Sequence, residues 1–432
     1  MAASKSLIYW MLVLLALPFG SVGGTGVVAS DSKLLSGILD EAAASLGTNR
    51  NKWEAGGKLR LIFVQIDRQK NAAPVFTYHT VGMAGDEYFN PASIVKLPLT
   101  FLTLERVNEI KRSSAPWIEK KTRLEMIPAE PCQTAVSADA IAREGYPNLA
   151  QYIRRILTVS DNPSYNRLFD FLGQENIRRG LLKKGYDSVR IKTRFSDCSF
   201  NQNRYAPYIR FYDSAFANVL HQPASLNTDT SWLVTPGRTA GKGYMENRKV
   251  VWRPKDFSRS NEVPLNDELD ILLRFVFPES FPNKLRWDLS AEDRAFLFQY
   301  LSVYPSTSGL PEYADTAQFP RFLKKYFLRN ASVSHQLNDS LRVFNIVGLS
   351  YGFISDVSYV IDLSDGTEFF LAATMIANEN GVVGDGKYDY ETIAFPLYGK
   401  LFDLVYEKES KRKKDNISDF REIREALSQP LK

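Results

Sequence analysis

The sequence predicts an α+β fold: an antiparallel sheet flanked by helices, with a mainly helical second lobe. Three observations predict it. Strand-like runs sit near the two ends of the chain, at 59–80 and 341–377, while about 93–340 has mostly helical patterns. Asp365-Gly366 separates the last two runs and is a strong hairpin signal, so those strands should be antiparallel neighbours. If the terminal strands join one sheet, the block between them is an insertion that forms the second lobe.

The elements follow in order. Lys5, an apolar run from Leu7 to Leu17 and small residues from Ser21 to Gly24 describe a secretory signal over 1–24. The run is shorter than the ~20 residues a bilayer span needs, which leaves an uncleaved anchor as the competing reading. The mature protein is therefore expected to be exported, periplasmic or secreted, with cell-envelope association left open. Residues 31–47 read as a helix, capped by Asp31 or Ser32, with Leu34, Leu35, Ile38, Leu39 and Ala42 at helical spacing. Leu59–Asp67 and Val75–His79 read as a hairpin around Asn71. A helix from Ser93 to about Lys111 follows, then helices at Leu149–Val159, Tyr165–Leu172 (ended by Gly173) and Glu175–Lys184 (ended by Gly185).

Residues 222–265 are rich in Ser, Thr, Asn, Pro, Gly and Arg and read as loop or extended insert. Helices return at 265–277, 289–301 and 317–329. Strands are expected at Leu341–Gly348, Ser355–Leu363 and Glu368–Ala377, and a last helix at about 390–409. Residues 409–432 are left as a charged tail, so the domain is drawn at 31–408.

Composition narrows the function classes. Apolar residues make up 44% and charged residues 24%, as in a globular protein, and 432 residues allow a sizeable core. The net charge is +5, and the run Lys408, Lys411, Arg412, Lys413, Lys414 accounts for much of it. A solvated helix end explains such a run, so nucleic-acid binding has little support. His79, His221 and His335 stand apart without the spacing of a metal site, and no cofactor is called for. Cys132 and Cys198 are either a disulfide or two buried thiols, a choice that depends on a separation the sequence does not state.

Chemistry concentrates in Ser93-Ile94-Val95-Lys96. Residues three apart at a helix start share a face. A hydroxyl is a weak nucleophile at neutral pH, and a partly desolvated lysine can accept its proton or shape its field. Ser160-Asp161-Asn162 stands 67 residues later, between two helices. Ordinary capping explains the tripeptide by itself: Ser160 and Asp161 cap the next helix and Pro163 sits in its first turn.

Together, S-x-x-K followed by S-D-N resembles the class A β-lactamases and penicillin-binding proteins. Pro91-Ala92-Ser93-Ile94-Val95-Lys96 is similar to that family's active-serine helix start, and Ser160-Asp161-Asn162-Pro163-Ser164-Tyr165-Asn166-Arg167-Leu168 to its S-D-N-x-x-x-N-x-L segment. The likeness runs over roughly 31–205 and 340–408, and is weakest between them.

The resemblance implies a β-lactamase/transpeptidase-like fold and an acyl-enzyme mechanism on a small-molecule or peptide amide. In it Ser93 is the nucleophile, Lys96 its activator, Ser160 the proton relay, and Asn162 a substrate contact or a guide for Lys96. Asp197-Cys198-Ser199-Phe200-Asn201 stands where the family has E-x-x-L-N, so Asp197 and Asn201 would prepare the deacylating water. Ile346-Val347-Gly348 stands where the family has K-T-G, which makes Gly348 and Leu349 the strand edge of the site and places the Leu349 N–H in the oxyanion hole with that of Ser93. Ile346 replaces the lysine; Arg238 and Arg342 are candidates for restoring its charge. A peptidoglycan-peptide serine peptidase or amidase, and a catalytically impaired envelope binding protein, are the alternative readings.

Overall fold

The computed structural model describes residues 32–55, 58–85, 87–332 and 340–431. The expected signal at 1–24 and His335 lie outside these residues.

Helix α1 (Lys33–Ser45) starts where the Ser32 hydroxyl accepts from the Leu35 N–H, and it buries Leu35, Ile38, Leu39 and Ala42. Strands β1 (Leu59–Gln69) and β2 (Ala72–Val81) form the expected hairpin. Side chains of β1 alternate between two cores. Leu59, Leu61 and Phe63 face one, and Ile62, Val64 and Ile66 face the other. Helix α2 (Lys96–Ser113) follows a 3-10 turn at Ala92–Val95 that contains Ser93. Helix α3 (Leu149–Val159) is capped by the Asn148 side chain, and α4 (Asn162–Lys183) by that of Asp161. Gly173, at φ 69°, kinks α4 where two separate helices were expected.

The insert continues through α5 (Leu265–Val276) and α6 (Ala291–Ser302). Strands β3 (Leu341–Ser350), β4 (Phe353–Asp362) and β5 (Glu368–Ile376) then complete a five-stranded antiparallel sheet in the order β3-β4-β5-β1-β2. Every residue of β4 is buried, because helices cover both sheet faces. One face carries α1 and α7 (Phe395–Ser410); the other carries the inserted lobe, led by α2 and α5.

The interval 222–265, read as loop or extended insert, contains short strands, including the pair Gly243–Glu246 and Lys249–Val251. Two other expectations differ from the structure. Of the helix expected at 317–329 only Tyr326–Arg329 forms. Pro320 interrupts it, the Asp315 carboxylate ties up the Ala317 N–H in a local turn, and the Lys324 and Lys325 ammonium groups are drawn to interior carbonyls. The chain beyond 409 is not a solvated tail either. Helix α8 (Arg421–Ser428) folds back on α6, burying Phe420, Ile423 and Ala426 in the core of the lobe. Gln299 of α6 donates to the carbonyls of Ala426, Gln429 and Pro430.

Candidate active site

Ser93 lies in a tight turn between two left-handed or helical residues. Ala92 before it has φ 45°, an uncommon value for a residue with a Cβ. The Asn90 side-chain oxygen Oδ1 fixes this turn, accepting from the Ala92 N–H at 2.8 Å and from the Ser350 hydroxyl at 3.2 Å, so the turn is tied to the end of edge strand β3. Gly348 of β3 completes the contact. A Cβ there would stand 2.4 Å from the Pro91 carbonyl oxygen and 3.2 Å from the Ser93 nitrogen, so only a bare backbone fits. Gly348 is buried and Leu349 is 39% exposed, which leaves Leu349 at the rim beside the serine.

Lys96 is fully buried. Its Nζ donates to the Ser160 carbonyl (2.5 Å), the Ser160 hydroxyl (3.0 Å) and the Asn162 side-chain oxygen (2.7 Å). Ser160 ends α3 in the left-handed region (φ 62°, ψ 40°), which turns its carbonyl and its hydroxyl toward the same ammonium. Such a conformation costs a non-glycine residue about 1–3 kcal/mol and persists only where neighbours enforce it. Lys96 therefore gathers both polar residues of the Ser-Asp-Asn turn, while Asp161 between them performs the capping that ordinary helix chemistry expects. Ser93 Oγ has no hydrogen-bond partner among the described residues, so in this state Lys96 is engaged by Ser160 and Asn162 rather than by Ser93.

Burial holds the Lys96 ammonium down to about 7; Asp161 opposes that shift and Lys324 adds to it. The Phe195 ring lies 5.0 Å from Nζ, and Asn166 fixes it, accepting from the Phe195 N–H (2.8 Å) and donating to the Phe195 carbonyl (3.2 Å). The apolar ring keeps water from one side of the amine.

Ile346 is fully buried in the lobe-side core of the sheet. Arg238 is paired with Glu262 at 3.1 Å, and Arg342 donates to its neighbour's carbonyl at Leu341. The buried lysine whose field reaches Lys96 is instead Lys324, which sequence reasoning missed. Its Nζ donates to the Leu157 carbonyl, one of the acceptors left over at the C-terminal end of α3, and burial holds it down to about 7 against the opposing field of Asp356. No local pattern announces Lys324, because it comes from the irregular segment after Pro320.

Asp197 and Asn201 make no hydrogen bond to Ser93, Lys96, Ser160 or Asn162. Both are exposed, and neither side chain makes a hydrogen bond among the described residues. The buried asparagine of their loop is Asn203, which accepts from the Arg194 N–H and donates to the carbonyls of Cys198 and Ser199. The loop is also tied by the Cys132–Cys198 disulfide. A cavity of about 420 Å³ lies on the far side of the Ser93 turn, lined by Pro91, Ile94, Arg60, Ser355 and Thr374 among others; neither Ser93 nor Lys96 lines it. Among the described residues no group of His, Cys, Asp and Glu side chains could hold a metal ion.

Residues 56–215 match the model of the beta-lactamase enzyme family, a segment that includes Ser93, Lys96, Ser160 and Asn162. That match covers under half of the chain, so the likeness to this family is one of the segment 56–215. Solved structures similar to this chain include a beta-lactamase from Sphaerobacter thermophilus (13% identity, 88% of this chain and 98% of that one, TM-score 0.44). Another is the chromosome-encoded beta-lactamase of Vibrio parahaemolyticus (12%, 87% and 100%, 0.45). A third is the structure of PBP-A (13%, 88% and 97%, 0.44). Identities this low say nothing of activity. No curated protein matches the chain.

Proposed function

We propose that this chain is an exported serine hydrolase that opens a β-lactam or a related amide through an acyl-enzyme. The observation that carries the reading is the buried Lys96 amine bonded to Ser160 and Asn162 one helical turn from Ser93. An ammonium would spend all three protons on those acceptors. The neutral amine, which burial favours near pH 7, has a lone pair to offer.

In the proposed reaction Ser93 Oγ bonds to the substrate carbonyl carbon while its proton passes to Lys96 Nζ. The backbone N–H groups of Ser93 and Leu349, brought near one another by Gly348, stabilise the oxyanion; one such donor is typically worth about 2.7–4 kcal/mol. As the C–N bond breaks, Ser160 hands a proton to the leaving nitrogen and is resupplied through Lys96. Water then cleaves the ester and restores Ser93, with Asp197 and Asn201 as the proposed water-holding pair. Lys324, buried on the Leu157 carbonyl and itself held down to about 7, tunes Lys96 and does not take the place of the lysine that Ile346 replaces.

A second reading has an observation in its favour. An exposed carboxylate without a hydrogen bond is poorly placed to orient a water, and Asp197 is such a group. Slow release of the acyl group, as in a peptidase of the penicillin-binding type, follows from that. Incubation with a fluorescent penicillin tests both. Labelling at Ser93, abolished by Ser93→Ala, is expected; rapid loss of the label with product formation supports hydrolysis, and a persistent adduct supports the peptidase. A folded sample that no acylating probe labels would mean the acyl-enzyme reading is wrong, and would leave the binding-protein reading.

A further inference from the structure

The strands Gly243–Glu246 and Lys249–Val251 form a hairpin whose two faces differ sharply. Tyr244 and Val251 turn inward, onto a small core with Tyr88, Phe257 and Phe353. Met245, Val250 and Trp252 share the outer face with Gly243. Trp252 is 72% and Val250 37% exposed. Both lie against the bare Gly243, where a Cβ would come within 3.1 Å of the Trp252 ring and of the Val250 side chain. The outer face is thus a short apolar ridge ending in an indole.

Cations stand at the tip of the hairpin and along its other, Tyr244-bearing side. Within 242–255, Lys242, Arg248, Lys249, Arg253 and Lys255 stand against Glu246, with Asp256 next to Lys255, and none of the five makes a salt bridge among the described residues. Arg253 and Lys255 rest on the Tyr244 ring, and Arg253 also donates to the Tyr244 hydroxyl at 3.1 Å, which settles their stems while the charged ends stay outside any ion pair. The net charge of this 14-residue stretch nearly equals that of the whole chain. The turn itself is unusual. Asn247 and Arg248 both have positive φ, 48° and 63°, as a two-residue type I′ turn requires, and the second position ordinarily goes to glycine. A backbone strained to keep an arginine at the tip points to a use for that charge.

We propose that this hairpin is a peripheral docking surface for the anionic face of a lipid bilayer. The hairpin meets the bilayer along Lys249–Val251, an edge strand of its small sheet, so that Trp252 and Val250 enter the headgroup layer from one side, where an amphipathic indole is at home, and the cations of the tip and the other side meet lipid phosphates. A soluble polyanion would be met by the cations alone and would leave the apolar ridge in water, so the paired features favour a bilayer. Among the described residues no helix is long and apolar enough to cross a membrane, so the contact is a surface one. The proposal stands independently of the chemistry at Ser93.

The test uses the full chain, its Trp252→Phe variant and the triple variant R248Q/K249Q/R253Q. Each is mixed with vesicles of phosphatidylcholine, with and without phosphatidylglycerol, carrying brominated acyl chains that quench tryptophan. The difference between the natural chain and Trp252→Phe reads position 252 alone, whatever the N-terminal segment does. Quenching of Trp252 by the phosphatidylglycerol vesicles is expected, weakened on the order of 100-fold in vesicle affinity by the triple change, at about fivefold per cation. Raising salt from about 0.05 to about 0.5 M should reverse it in the natural chain, which keeps the test sound if the triple variant misfolds. No difference between the natural chain and Trp252→Phe, or equal quenching without the anionic lipid, overturns the proposal. So does binding to heparin with no quenching by vesicles, or self-association that Trp252→Phe abolishes while vesicles are ignored.

Discussion

Lys96 and Lys324 are two lysines drawn to one helix end, and their mutual repulsion is a testable part of the site. Lys96 holds the Ser160 carbonyl and Lys324 the Leu157 carbonyl, so both neutralise the C-terminal end of α3. Lys96 is held to about 7 in the folded chain against an ordinary 10.5, so its burial costs stability in full below about pH 7, and that cost fades as pH rises toward 10.5. The same shift sets the chemistry. Labelling of Ser93 by a fluorescent penicillin should rise with pH through an inflection near 7. Lys324→Met removes the neighbouring charge, raises the Lys96 pKa and moves the inflection to higher pH. The rate at pH 7, where Lys96 is already half neutral, should drop about threefold, for roughly 1 kcal/mol of charge–charge energy (about 0.7 in pKa) at an effective dielectric near 20. A uniformly lower rate with an unmoved inflection would mean that Lys324 only caps the helix. Ser93, Lys96, Ser160 and Asn162 were legible because each pair is bound by local spacing or by a short motif. Lys324 was not, since its partner Leu157 is remote in sequence and nothing local marks it.

The elements most important to the site are those that approach by backbone. Gly348 lets β3 lie against the Ser93 turn, and Gly348→Val would drive a side chain into the Pro91 carbonyl. The strand must then retreat, at a cost of about 1–3 kcal/mol in stability. Ser93 labelling should fall much further than stability does, because the oxyanion donors part. Melting temperature and labelling rate measured on the same sample check this, and equal, small losses in both would count against the oxyanion role of β3. The hairpin β1–β2, helices α1 to α3 and the three terminal strands were readable from periodicity and turn signals. Residues 317–329 misled, because apolar spacing there serves an irregular segment whose lysines reach for interior carbonyls. Here tertiary hydrogen bonds override a weak local propensity.

At the scale of the molecule, two chain ends and an insert share one sheet. The lobe-side core reaches from β1 through α5 and α6 to α8, so the last dozen residues belong to it. Ile423→Ala, far from Ser93, should cost about 2–4 kcal/mol and lower the melting temperature clearly; a truly solvated tail would lose almost nothing. Thermal unfolding followed by circular dichroism decides between them. The charged run near 411–414 disguised this helix, because a composition count cannot see that Phe420, Ile423 and Ala426 align on a face that α6 is waiting to cover. By itself, then, the sequence determined the α+β class, the β1–β2 hairpin and the turn between the last two strands, and the serine, lysine and Ser-Asp-Asn cluster, all carried by period, turn chemistry and short spacing. Only the tertiary structure decided the rest: that Cys132 and Cys198 are joined, that Asp197 and Asn201 lie at the surface, that the field of a buried lysine from the insert reaches Lys96, and that the C-terminal helix packs into the lobe. Each of these depends on a distance between residues remote along the chain, which burial and hydrogen-bond satisfaction set and local pattern does not encode.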